Sequence, residues 1–143
     1  MNLDMRDGFE IIDHTADVAI AAYGADLKKA FANAALGMFS IMTNIDKVNE
    51  TVICDVEVTA DEMKDLLASW LNELLFICEV ERILFKRFDI SELDGTRIVA
   101  KCYGEKINLK RHKIKTEIKA ATYHMTQIEE KRDNVRIQVL FDI

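Results

Sequence analysis

Apolar residues recur along this chain with two periods, and the switches between them mark out its elements. Leu27, Ala30, Phe31, Ala34, Ala35, Met38 and the pair Ile41-Met42 return every three or four residues. That spacing predicts an amphipathic helix of about four turns. Asp26 is a good N-cap for it, and Thr43-Asn44 can stop it. Met63, Leu66, Leu67, Trp70, Leu71, Leu74 and Cys78 form a second stripe, the clearest periodic signal in the chain, with Thr59 or Asp61 as its expected cap. Elsewhere the pattern is strand-like. A short apolar run spans 9–12, and a strand over 18–23 closes at Gly24. Residues 51–59 put Val52, Cys54, Val56 and Val58 on one face, the period of two of a half-buried strand. Segments 84–90 and 97–102 flank Asp94-Gly95, a tight hairpin turn, and 106–109 reads as a short strand. Segments 116–123, 125–129 and 135–143 follow, with Lys131-Arg132-Asp133-Asn134 as a turn. The order β-β-α-β-α and then strands predicts an α+β fold, two amphipathic helices packed on a largely antiparallel β-sheet. No linker or low-complexity stretch interrupts it, so 1–143 reads as one domain.

Composition sharpens this picture. The sequence has no proline, where average usage predicts about seven, and only five glycines. Proline-rich linkers and ligands are excluded, and short connections are expected. With 50% hydrophobic and 31% charged residues, the chain is ordinary globular material rather than a disordered tail. Cys54, Cys78 and Cys102 cannot all pair and form no C-x-x-C motif, which argues against a disulfide scaffold or a structural zinc site. The N-terminal stretch is acidic and polar, and no segment approaches the length of a membrane span. A reducing cytoplasm is the expected location.

Three clusters carry candidate chemistry. Asp13-His14-Thr15-Ala16-Asp17 sets two carboxylates and an imidazole between two strands, where a loop can aim several side chains at one point. Carboxylate oxygens suit hard cations, and an imidazole widens the choice. A local Asx-turn accounts for the same string, and spacing alone favours it. At the other end, Val139-Leu140-Phe141-Asp142-Ile143 stops on an apolar residue at the end of an expected buried strand. Anchored there, Asp142 and the Ile143 carboxylate become adjacent anionic oxygens that call for a metal, a lysine or an arginine. A frayed end is the alternative. Finally, residues 101–119 hold seven Lys/Arg against Glu105 and Glu117, inside a chain of net charge −6. That stretch is either a face for RNA phosphate or an acidic partner, or a solvated strand edge. The overall charge favours the edge. No glycine-rich phosphate loop or nucleophile elbow is present, and the cysteines sit in apolar packing contexts.

Taken together, Ile12-Asp13-His14-Thr15-Ala16-Asp17-Val18, Ser69-Trp70-Leu71-Asn72-Glu73, Cys102-Tyr103-Gly104-Glu105, Lys119-Ala120-Ala121-Thr122-Tyr123-His124 and the ending Phe141-Asp142-Ile143 resemble the archease family in order and over essentially the whole chain. The resemblance implies a small α+β protein that is not itself an enzyme. It implies a cofactor of the RtcB-type RNA ligase of tRNA splicing, which uses GTP and a divalent metal. The accessory protein promotes guanylylation of the ligase histidine and multiple turnover. A chaperone-like modulator of a tRNA cytosine-5 methyltransferase is the other activity it implies, and a metal-dependent hydrolase with His14 as base is the least favoured. The family's metal site carries over to Asp17, Asp142 and Ile143, the last through backbone or terminal carboxylate oxygen, with Asp13 and His14 in supporting roles. Ca²⁺ is the leading ion, with Mg²⁺ and Mn²⁺ as alternatives, and contact with RNA is expected to be indirect or weak. His124 is left without a role. One departure stands out. Residues 110–115, KRHKIK, lack the glycine of the family's turn there.

Overall fold

A computed structural model of the chain describes residues 6–13 and 17–143. Its elements run β1 (Gly8–Asp13), β2 (Asp17–Gly24), α1 (Leu27–Met42), β3 (Val52–Thr59), α2 (Met63–Glu81), β4 (Ile83–Leu93), β5 (Arg97–Lys106), β6 (Ala120–Lys131) and β7 (Asn134–Asp142), with a 3-10 turn at Ile45–Lys47. The α+β class and the antiparallel pairing match the sequence pattern. The strands nevertheless divide into two sheets, ordered β1-β2-β7-β6 and β3-β5-β4.

The reason lies in the helices. A helix with one apolar stripe needs one sheet, but both of these are apolar over most of their circumference. On α2, Leu66, Leu67, Ala68, Trp70, Leu71, Leu74, Leu75 and Cys78 are all buried. On α1, Phe31, Met38 and Phe39 are joined by the small residues Ala30, Ala34, Ala35 and Gly37. α1 packs against β1, β2 and β7 of the first sheet and β4 of the second, while α2 meets β6 of the first and β3, β4 and β5 of the second. The helices thus lie between two apolar sheet faces. Ile20, Val139 and Phe141 contribute from one side, and Val56, Phe85, Phe88 and Ile98 from the other. Phe39 meets Phe85 edge-on at 5.8 Å, and Trp70 meets Phe88 at 6.2 Å. Burial of this kind drives folding at roughly 25 cal/mol per Å² of apolar surface.

Local signals mostly fall where the pattern puts them. The Asp26 side chain accepts from the Lys29 N–H at 2.8 Å and caps α1, and Thr43 ends it with its N–H on the Phe39 carbonyl. In the β4–β5 turn, Asp94 Oδ1 accepts from the Thr96 N–H, the Thr96 hydroxyl and the Arg97 N–H. Those bonds hold its carboxyl below the usual aspartate range, the Thr96 backbone contributing most. Some expectations are corrected. The N-cap of α2 is Glu62, without a side-chain bond, so neither Thr59 nor Asp61 caps it. Residues 106–109 form no separate strand, because Lys106 ends β5 and a turn follows. The segments over 116–123 and 125–129 belong to one strand, β6, which starts only at Ala120.

Close approach decides two glycine positions. A Cβ on Gly37 would sit 2.9 Å from the Phe9 ring, so β1 can lie tight on α1. A Cβ on Gly104 would overlap the Leu84 carbonyl oxygen of β4, a backbone atom with no room to yield. Gly104→Ala is therefore expected to cost about 2–3 kcal/mol in urea unfolding. Gly95→Ala, with nothing within 4 Å of its new methyl group, should stay within about 0.5 kcal/mol.

Candidate metal centre

The two ends of the chain meet in one ladder. β2 and β7 pair antiparallel from Asp17↔Asp142 through Gly24↔Val135, and Asp142 also faces Ala120 on β6. Residues directly opposite in such a pair project to the same face, with Cβ atoms about 5 Å apart. Val18 and Phe141, one step along, turn to the other face, where Phe141 is completely buried. The fixed phase of the two strands thus places the Asp17 and Asp142 carboxylates side by side on the face away from the helices. Asp17 is half-buried, and Asp142 and Ile143 are exposed.

Among the described residues, neither carboxylate is hydrogen-bonded or ion-paired through its side chain. Like charges directly opposite each other on a sheet are destabilising by up to about 1 kcal/mol, so the pair favours a cation between its members. This donor set fits a hard divalent cation, which takes carboxylate oxygens. No group of three or more His, Cys, Asp or Glu gathers among the described residues, so further oxygens must come from elsewhere. The Lys119 N–H donates to the Asp142 carbonyl at 2.8 Å, so the Asp142 side chain and Ile143 are the oxygens not engaged by that bond. Asp13 ends β1, its backbone paired with Val18 one position past Asp17. His14 lies outside the described residues. His124 is exposed in an irregular stretch between Thr122 and Gln127, where Met125 takes φ +61°, and its carbonyl accepts from the Thr122 hydroxyl.

Asn72 has a role that periodicity did not reveal. From α2 its Nδ2 donates to the Ala121 carbonyl at 2.9 Å, and its Oδ1 accepts the Ala121 N–H at 2.8 Å. The amide stands in for a neighbouring strand at the outer edge of β6, beside Phe141 and Asp142 of β7. Asn72 lies outside the apolar stripe of α2, so the helical period gave no signal for it. Asn72→Ala leaves both Ala121 groups unpaired and should destabilise the protein by about 1–2 kcal/mol in chemical denaturation.

The basic stretch does not form one face. Lys101 is paired with Asp55 at 2.8 Å, and Lys106 Nζ donates to the Glu81 carbonyl at 2.8 Å. Arg111 binds Glu105 and the Lys47 carbonyl. His112 is buried, with Nδ1 accepting the Asn108 N–H at 2.9 Å. Nε2 therefore carries the proton and donates to Glu105 at 3.0 Å. Asn108 and His112 close the turn over this segment, and the His112 N–H returns to the Asn108 carbonyl at 2.7 Å. Lys110, Lys113, Lys115 and Lys119 stay exposed. The Asn49 N–H above all, then His112 and the Arg111 charge, hold the Glu105 carboxyl below the ordinary glutamate range. A depressed carboxyl stabilises the fold above its unfolded value of about 4.3, and that contribution disappears as pH falls through the lower folded value. Wild type should therefore melt above Glu105→Gln at pH 7, and the gap should close below about pH 4.

Burial pushes the Cys102 thiol up to about 12 and the Cys78 thiol up to about 11, which suits inert packing rather than nucleophilic chemistry. Among the described residues, no helix is long and apolar enough to cross a membrane.

The structure is thus a two-sheet α+β protein whose central helices leave an acidic pair on the outer face of one sheet. Comparison with known proteins places it further. The model of the archease protein family (MTH1598/TM1083) matches residues 9–143, and the chain belongs to that family. It is 39% identical to protein archease of Methanothermobacter thermautotrophicus over 139 residues, which cover 95% of this chain and 99% of the relative. Protein archease of Sulfolobus acidocaldarius is 36% identical over 136 residues, 94% of this chain and 98% of the relative. The solution structure of Methanobacterium thermoautotrophicum protein 1598 superposes with a TM-score of 0.82 at 39% identity, covering 95% of this chain and 99% of that one. A Thermotoga maritima archease, described as a possible chaperone, shares the fold at a TM-score of 0.64 and 22% identity, covering 92% and 94%.

Proposed function

We propose that this protein is a non-enzymatic accessory factor of an RtcB-type RNA ligase in tRNA splicing, acting in the cytoplasm through a divalent cation held by Asp17, Asp142 and Ile143. The observation that carries the reading is the register of β2 against β7, which sets the Asp17 and Asp142 carboxylates opposite each other without a cationic partner among the described residues. A cation bound there, Ca²⁺ foremost, would supply positive charge able to receive phosphate or nucleotide oxygens. The chain itself supplies rigidity. Asp17 and Asp142 stand on paired strands, and Asn72 and the Lys119 N–H fix the strand and the carbonyl beside them. Presented to the ligase, such a site assists guanylylation of the ligase histidine and its return for further rounds. The Thermotoga maritima relative's description as a possible chaperone favours a second reading, a chaperone-like modulator of a tRNA cytosine-5 methyltransferase, which needs no metal.

Purified protein, ligase, GTP, metal and cleaved tRNA test the first reading. Multiple-turnover ligation should rise with the wild-type chain. It should fall by about tenfold or more with Asp17→Ala, since even groups that only support a metal ligand are worth that much. Residues appended after Ile143 should have a similar effect. Ca²⁺ titration by calorimetry provides a readout independent of the ligase, and circular dichroism reports folding of each variant. Ligase stimulation that survives both changes overturns the metal-dependent reading, and an effect seen only with the methyltransferase supports the second.

A further inference from the structure

We infer that the outer face of the four-stranded sheet carries a second site, at the end away from the acidic pair, and that this site takes a phosphoryl oxyanion. A cavity of about 230 Å³ opens between Arg6, Tyr23, Glu129, Lys131, Asn134 and Arg136. Tyr23 and Arg136 face each other across β2 and β7, six residues from the Asp17–Asp142 row, or about 20 Å along the strands. The two sites share a sheet and differ in sign.

Three features favour an oxyanion. The lining sets three cations against the single carboxylate of Glu129, in a chain whose overall charge is −6. Arg6 is answered by Glu10 at 3.2 Å, and the Tyr23 hydroxyl donates to the same carboxylate at 2.7 Å, which fixes the ring that both guanidinium groups approach. Among the described residues Arg136 has no ion-pair partner. It is half-buried and donates to the Gln138 amide oxygen at 3.1 Å, and among the described residues no carboxylate lies within ion-pair distance, although Glu129 is its partner in register. A partly desolvated guanidinium without a counter-ion suits forked binding to phosphate oxygens.

Asn134, 9% exposed, also lines the cavity. The oxygens of a phosphoryl group accept there from Arg136 and Lys131. Size sets the limit. The cavity lies below the roughly 300 Å³ at which pockets for whole drug-sized ligands begin, so it takes the phosphoryl group and not the molecule behind it.

Free phosphate and a phosphate at the end of a larger molecule share this chemistry, and an NMR titration of the full chain separates them. Inorganic phosphate at constant ionic strength should shift the amide signals of Tyr23, Lys131, Asn134 and Arg136 saturably, whereas chloride at the same ionic strength should not. Arg136→Gln should weaken phosphate binding by about tenfold. Lys131→Gln, at an exposed position that leaves folding intact, should weaken it less. A 5′-phosphorylated oligonucleotide that binds where its 5′-hydroxyl twin does not identifies a terminal phosphate as the source. Binding of inorganic phosphate alone identifies the free ion. Unsaturable shifts, the same shifts with chloride, or phosphate binding unchanged in both variants overturns the assignment.

Discussion

The pairing of β2 with β7 is the constraint from which the rest follows. It joins residues 17–24 to residues 135–142 through an unbroken antiparallel ladder, closing a loop that contains nearly the whole chain. Closing so long a loop costs only slowly more with length, and the buried apolar residues along the ladder, among them Ala19, Ile20, Val139 and Phe141, offset it. Because side chains alternate along a strand, one register does two things at once. It turns Ile20 and Phe141 toward the helices, and it sets Asp17 beside Asp142 on the other face. A slip of one residue would bury the acids and expose the core.

The helices extend that constraint through the molecule. Each touches both sheets, so the core is common to the four-stranded and three-stranded layers rather than divided between them. The outer faces then take different characters. On the three-stranded sheet, Lys101 pairs with Asp55, Arg97 with Glu57 and Glu92, and Arg87 with Glu50 and Asp89, while the Arg87 guanidinium lies 3.7 Å from the Tyr103 ring centre. Exposed pairs like these add little to stability, and they leave a self-neutralised, solvated surface. On the four-stranded sheet Arg6 pairs with Glu10, while Asp17 and Asp142 at one end and Arg136 at the other have no ion-pair partner among the described residues.

Periodicity made the helices legible, because residues three and four apart share a side whatever surrounds them. It made α1 and its Asp26 cap readable almost to the residue. The α2 cap was missed because Thr59, Asp61 and Glu62 are all polar, and only the backbone path out of β3 decides among them. The run at 106–109 was mistaken for a strand because Ile107 and Leu109 alternate with polar residues. In the structure, Asn108 and His112 close a turn instead, with the His112 ring buried. The basic run over 101–119 was read as one unit because it is continuous in sequence, and the fold sends its members to different neighbours.

The sequence alone determined the element types, the α+β class and the residues of the two acidic clusters. These are properties of local spacing and residue chemistry, and they survive any arrangement of the chain. Tertiary structure decided that there are two sheets, that both enclose the helices, and that Asp17 stands opposite Asp142. It also decided that Asn72 secures the edge of β6 and that Arg136 faces a cavity with no carboxylate within ion-pair distance among the described residues. Those facts depend on which strands pair and in what register, a choice made by the burial of the whole core at once and present in no single segment of the chain.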